Sequence, residues 1–293
     1  MSWEDTFRSW GKAPGTTEQT KCENAETAIR KAIAADSTLS NKNVTVSAQG
    51  SYCNRTNVRL DSDVDICVLS TDTFFYSLPA GMTQADFGIV AASYNYPEYK
   101  NDVEHALVSY LGEDAVKRGK KAFDVHENSY RVDADVVACF EYRRYNANGT
   151  YITGTSFIPD GGQLIINWPQ QNYDNGVTKN SETGERFKAV VRILKHLRYK
   201  MSDEGYSEAD AVCSFLIECL VWNVPNEGFN HDTYTADVRY ALIHLYNKTS
   251  TDDACKEWGE INELKYLFRP AQPWTRQQAN SFLLEAWRYL GLQ

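Results

Sequence analysis

The chain has 293 residues, 42% of them hydrophobic and 13% aromatic, with a formal net charge of −9. That length and apolar share support one large core or two smaller ones and exclude a disordered chain. The acidic balance argues against a grip on long nucleic acid, which needs clustered Lys and Arg, but is compatible with a small anionic substrate held through metal ions.

The seven cysteines are odd in number and form no CxxC pair, so neither a disulfide framework nor a structural zinc site is expected. Free thiols fit a reducing cytoplasm. The opening "MSWEDTFRSWGK" lacks the apolar core of a signal peptide, and no run approaches the length of a membrane span. The expectation is a cytoplasmic protein with no membrane partner.

In chain order, residues 18–35 place Ala25, Ala28, Ile29, Ala32 and Ile33 at helical spacing. Residues 44–48, "VTVSA", alternate as a short strand leading into Gly50-Ser51, and residues 63–69 read as the next strand. A helix is expected near 101–112, and another strand over 131–142, "RVDADVVACFEY". Residues 145–183 read as loops with short strands. Beyond them the texture turns helical, over 184–200, 208–223, 233–247 and 276–290. Phe187, Val190, Val191, Leu194 and Leu197 stripe the first of these helices. The fold class is therefore α+β, a mixed sheet with flanking helices (1–175) followed by a helical lobe (176–293), with the active site expected in the cleft between them.

On a strand, residues two apart share a face. Asp63 and Asp65 thus form an acidic face opposite Val64, Ile66 and Val68. Paired carboxylates repel, and a divalent cation removes that conflict; oxygen ligands of this kind suit Mg²⁺ or Mn²⁺. Asp133 and Asp135 share a face in the same way. If the two strands are neighbours, one of these acids completes a three-carboxylate site for two metals, the arrangement that clamps an in-line phosphoryl displacement. The Gly50-Ser51 turn, just upstream, lets the backbone and a hydroxyl approach a phosphate.

This order of features resembles the nucleotidyltransferases related to polymerase β. More narrowly, "QGSYCNRTNVRLDSDVDICV", "YRVDADVVACFEY" and "NGVTKNSETGERFKAVVRILKHLR" resemble the bacterial CD-NTases of anti-phage signalling operons (CBASS), relatives of cyclic GMP-AMP synthase, and within them clade E, the CdnE-like members. The resemblance spans most of the chain. It implies two Mg²⁺, or Mn²⁺, on Asp63, Asp65 and a third acid that opens an Asp-Val-Val run; that is Asp135 in preference to Asp133. It implies that Gly50, Ser51, Lys195 and Ser214 hold the donor triphosphate. It offers Asn167, in "LIINWPQ", as a reader of uracil, and Phe215 as a stacking partner for a base. Taken as residues alone, Lys195 beside an apolar stripe reads as a snorkelling lysine, and Phe215 as core. One departure is Ala138, where family members often carry Pro.

The implied reaction joins NTPs (ATP, with UTP or GTP) into a cyclic di- or trinucleotide read by a downstream effector. The rival readings are a linear template-independent nucleotidyltransferase, an enzyme that adenylylates a protein or small molecule, and a catalytically silent nucleotide sensor.

Overall fold

The computed structural model describes residues 2–58 and 63–292. In chain order the elements are α1 (Trp3–Trp10), α2 (Thr16–Ala35), β1 (Val44–Ala48), α3 (Gly50–Cys53), β2 (Val64–Ser77), α4 (Tyr96–Leu111), β3 (Val116–Arg118), β4 (Phe123–Val125), β5 (Ala134–Tyr145), β6 (Tyr151–Phe157) and β7 (Ile165–Asn167), then α5 (Pro169–Glu182), α6 (Arg186–Asp203), α7 (Ser207–Asp210), α8 (Ser214–Trp222), α9 (Tyr234–Lys248), α10 (Asp252–Cys255) and α11 (Arg276–Leu290). They divide into two compact units. An α/β unit holds residues 15–52 and the described part of 59–169, and a helical unit holds the described part of 1–14, 53–58 and 170–293.

In the α/β unit one sheet runs in the order β1-β2-β5-β4-β3. The long strand β5 organises it. One edge of β5 pairs in parallel with β2; the other edge is shared end to end, by β4 along residues 134–136 and by β6 along residues 140–145. β7 closes the sheet beside β6. The apolar alternation seen in the sequence sets the faces. Val64, Ile66, Val68 and Val136 are fully buried with Ile29 of α2 and Tyr99, Val103 and Leu107 of α4. Each such side chain contributes about 1.5–3 kcal/mol on burial. The Tyr99 hydroxyl donates to the Val68 carbonyl at 2.7 Å and the Tyr96 hydroxyl to Ala138 at 2.9 Å, which pins α4 to the sheet.

In the helical unit α6 is the axis. Its predicted stripe is dry throughout, and Ile193 and Met201 join it against Leu216, Leu220, Leu242 and Phe282. Cationic side chains on the same helix are buried too, and they tether neighbouring backbone. Arg192 donates to the Gly11 and Arg55 carbonyls, and Lys195 donates to Thr56 at 3.0 Å. On α1, Trp3 and Phe7 stack at 5.6 Å, and Trp3 also meets Tyr289 of α11. Glu4 of α1 caps α9 by accepting the amides of Tyr234 and Thr235.

Three expectations need correction. The boundary expected at 175/176 lies at 169/170, where Pro169 opens α5; proline suits a first helical position because its missing N–H has no intrahelical partner there. Residues 1–14 and 53–58, expected with the sheet, belong to the helical unit through the contacts of Arg192, Lys195 and the α1 aromatics. Residues 169–182, expected as loop, are the helix α5, whose buried positions are Gly176, Lys179 and Asn180, so it carries no apolar stripe to read. None of the seven cysteines is in a disulfide, and among the described residues no helix is long and apolar enough to cross a membrane.

Candidate active site

The parallel pairing of β2 with β5 sets Asp65 directly beside Asp135. The antiparallel pairing of β4 with β5 sets Asp124 on the other side of Asp135. Three carboxylates therefore stand in one row across three strands, on the face opposite the apolar core. Asp63, just before β2, shares that face with Asp65. Burial pushes the Asp63 and Asp135 carboxyls above the usual range, and their acidic neighbours push further: Asp133 and Asp124 on Asp63, Asp63 and Asp124 on Asp135. A hydrogen bond with Asp124 also raises Asp135.

Asp133 is differently placed. Its Oδ1 accepts the Glu127 amide at 2.5 Å and lies 3.9 Å from His126 Nδ1, so it stabilises the turn before β5. Asp124 was not singled out from the sequence, because a three-residue strand carries almost no periodic signal. Only its apolar flanks, Phe123 and Val125, mark it.

The Gly50-Ser51 turn is brought to this row by the β1–β2 pairing, where the Gln49 amide donates to the Asp65 carbonyl at 2.8 Å. Gly50 has φ +69°, and a Cβ there would lie 2.1 Å from Asp65 Oδ2. Both the left-handed backbone and the contact with a carboxylate require glycine. Ser51 follows in the first turn of α3.

Asn167 ends β7, the outer strand. Across the ladder Glu141 of β5 is opposite Thr155 of β6, and Thr155 is opposite Asn167. Directly opposed residues share a face, and Glu141 lies an even number of positions from Asp135 along β5. Asn167 thus projects from the same face of the sheet as the acids. Its backbone is held firmly. At Gly154 a Cβ would meet the Asn167 carbonyl at 2.6 Å and the Trp168 ring at 2.8 Å, so the absent side chain is what lets Trp168 seat. Trp168 is buried and meets Tyr142 edge to face at 5.7 Å.

The remaining candidates belong to the helical unit. Lys195, expected as a triphosphate contact, is 1% exposed and forms an ion pair with Glu218 on α8 as well as its bond to the Thr56 carbonyl. Thr56 also donates its hydroxyl to Glu218 at 2.8 Å. The ammonium is committed within the protein, because a buried charge is stable only when paired. Ser214, at the first position of α8, is half-buried, with its hydroxyl 3.0 Å from the Tyr199 hydroxyl. Phe215 packs on the helical core, 6.1 Å from the Trp274 ring, which matches its reading as a core residue.

The all-oxygen donor set fits a hard divalent cation, which would relieve the repulsion that raises Asp63 and Asp135. Among the described residues no three His, Cys, Asp or Glu side chains already stand together as a ligand cage; the acids share a face rather than a point.

Comparison with known proteins places the chain in a family. Residues 174–291 match the cGAS/DncV-like nucleotidyltransferase C-terminal helical domain. The chain is 49% identical to the cyclic dipyrimidine nucleotide synthase CdnE of Cecembia lonarensis, covering 98% of both chains. It is 48% identical to the Legionella pneumophila protein of the same name, over 99% of this chain and 98% of the relative. The solved CdnE c-UMP-AMP synthase of Rhodothermus marinus, with Apcpp and Upnpp, superposes with a TM-score of 0.86 at 31% identity, over 99% of this chain and 97% of that one. The chain belongs to the CD-NTases, the cGAS/DncV-like nucleotidyltransferases.

Proposed function

We propose that the protein joins two nucleoside triphosphates, at least one of them a pyrimidine nucleotide, into a cyclic dinucleotide that a downstream effector reads. The observation that carries the chemistry is the row Asp65–Asp135–Asp124, with Asp63 beside it and Gly50 against Asp65. Asp63, Asp65 and Asp135 would hold two divalent cations, Mg²⁺ or Mn²⁺. Bound there, such ions lower the pKa of an attacking ribose hydroxyl and neutralise the leaving pyrophosphate. The Gly50 turn and the Ser51 hydroxyl orient the donor triphosphate. The ribose oxygen bonds to the α-phosphorus while the bridge to the β-phosphate breaks and pyrophosphate departs. A second transfer in the opposite sense closes the ring. The chain's part is positioning and charge neutralisation.

The pyrimidine reading rests on Asn167. An amide offers a donor and an acceptor to a base edge, and this one shares a face with the acids. The cyclic dipyrimidine synthases at 48% and 49% identity favour the same product class. The test is incubation of the pure protein with four NTPs, each α-labelled in turn, in Mg²⁺ or Mn²⁺, followed by phosphatase and chromatography. A resistant product labelled by UTP or CTP is expected, and Asn167→Ser should shift labelling toward purines. A purine-only product would discard the assignment of Asn167. Resistant linear products would favour a template-independent polymerase instead.

Gly50→Ala is expected to lower turnover by about a hundredfold or more, since the new methyl displaces the Asp65 carboxylate. The backbone strain alone costs about 1–2 kcal/mol. Turnover and melting temperature measured together separate the two effects: a large fall in the first with a small fall in the second is the expected pattern.

A further inference from the structure

The strand beside Asn167 carries an unexplained polar atom. Thr155 is 6% exposed, and its Oγ1 is buried without a hydrogen-bond partner. Such an atom costs about 1–3 kcal/mol, so natural interiors rarely keep one without a use. Its two cross-strand neighbours are Glu141 and Asn167. The Glu141 carboxylate is already taken by Arg143, whose guanidinium in turn lies over the Phe74 ring at 3.8 Å. The neighbour open to this hydroxyl is therefore the Asn167 amide, since directly opposed side chains have Cβ atoms about 4.5–5.5 Å apart.

We propose that Thr155 is a positioning residue for base selection: its hydroxyl, without a partner in the unliganded protein, takes the Asn167 amide when a nucleotide binds and fixes it in the orientation and depth that suit a pyrimidine edge. This rests on the reading of Asn167 as the base reader. A hydroxyl both donates and accepts, so it can take one lone pair of Oδ1 or one hydrogen of Nδ2 and leave the rest of the amide plane facing the base. A free amide can swing to meet any base, because adenine, guanine, uracil and cytosine all pair with a donor beside an acceptor. A fixed amide discriminates by distance. A purine carries its pairing edge further from the sugar than a pyrimidine does, so an amide held at pyrimidine depth obstructs it. The site discriminates through the pinning of both amide and backbone, the backbone by Trp168 seated on Gly154.

The test measures affinities of non-hydrolysable UTP and ATP analogues for the full-length protein and for Thr155→Val, Thr155→Ser and Asn167→Ala. Valine keeps the shape and removes the hydroxyl; serine keeps the hydroxyl. Thr155→Val is expected to lose about three- to tenfold for the UTP analogue and little for the ATP analogue, the scale of one net hydrogen bond. Thr155→Ser should recover the ratio. Thr155→Val should also melt no lower than the parent, because it deletes an unpaired buried hydroxyl; a merely structural contact would show the reverse. An unchanged ratio in Thr155→Val, with Asn167→Ala altered, overturns the role of Thr155 and leaves Asn167 as the reader. A ratio that serine fails to restore overturns it as well, because the methyl rather than the hydroxyl would then matter. An unchanged ratio in Asn167→Ala removes the base reader itself, and the role of Thr155 with it.

Discussion

Asp135→Asn is expected to reduce product formation by at least about a thousandfold, the loss of roughly 4 kcal/mol of transition-state stabilisation. Asp135 is the middle member of the acid row, with Asp65 on one side and Asp124 on the other, so no neighbouring side chain replaces it. The same substitution should raise the melting temperature in EDTA at neutral pH. Burial and the acids around it hold the Asp135 carboxyl above its ordinary value of 3.8. A carboxylate whose pKa is raised by folding binds its proton more tightly in the native state. Native stability is then lost as pH rises from the unfolded value through the raised one, and it stays lost at neutral pH. Asparagine carries no charge to repel, so a melting temperature higher by a few degrees is expected. Added Mn²⁺ should stabilise the parent protein, as any ligand of the native state does, and stabilise Asp135→Asn much less. Asp133→Asn is the control. It keeps an acceptor for the Glu127 amide and should retain product formation to within about tenfold. Collapse in Asp133→Asn, with product formation retained in Asp135→Asn, would move the third metal ligand to Asp133.

What the sequence made legible follows from how local each feature is. β2 and β5 could be read because each is rich in β-branched and apolar residues, and the acids alternate with them, Asp63 and Asp65 with Val64 and Ile66, Asp133 and Asp135 with Ala134 and Val136. The adjacency of Asp65 and Asp135 could not be read, because it is a parallel pairing between segments some 70 positions apart in the chain. Asp124 stayed hidden for a related reason: β4 has three residues and takes its register from β5. The face shared by Asn167 and Asp135 needs two further antiparallel registers, neither written in any single segment. Lys195 is the instructive case, because its burial against Glu218 overturns its reading as a lysine reaching for water. Read beside the apolar stripe of α6 it looked like a lysine reaching for water, and by resemblance like a phosphate ligand. The missing clue was in α8, "SFLIECLVW", where a single Glu stands in an otherwise apolar helix. Two opposite charges, each alone in an apolar setting, call for each other.

That pair makes the second large prediction. Glu218→Ala leaves the Lys195 ammonium buried and unpaired and removes the acceptor of the Thr56 hydroxyl. Breaking one half of a buried ion pair costs about 3–5 kcal/mol, a large part of a typical stability of 5–15 kcal/mol. The melting temperature of the protein should fall by roughly 6–15 °C. Replacing both partners, as Lys195→Met with Glu218→Leu, removes both desolvated charges and should recover most of the loss. This stable double variant also separates two roles for Lys195. If the ammonium serves Glu218 and the Thr56 carbonyl, as its burial indicates, the double variant should keep the KM for NTPs to within about threefold while its turnover falls, because the 53–58 segment follows directly on the Gly50-Ser51 turn and loses a tether. If the ammonium leaves Glu218 to grip a triphosphate, KM should rise by tenfold or more in the same variant, the effect of one lost charge-assisted contact. The KM of the double variant, read against its melting temperature, decides between a strut and a ligand.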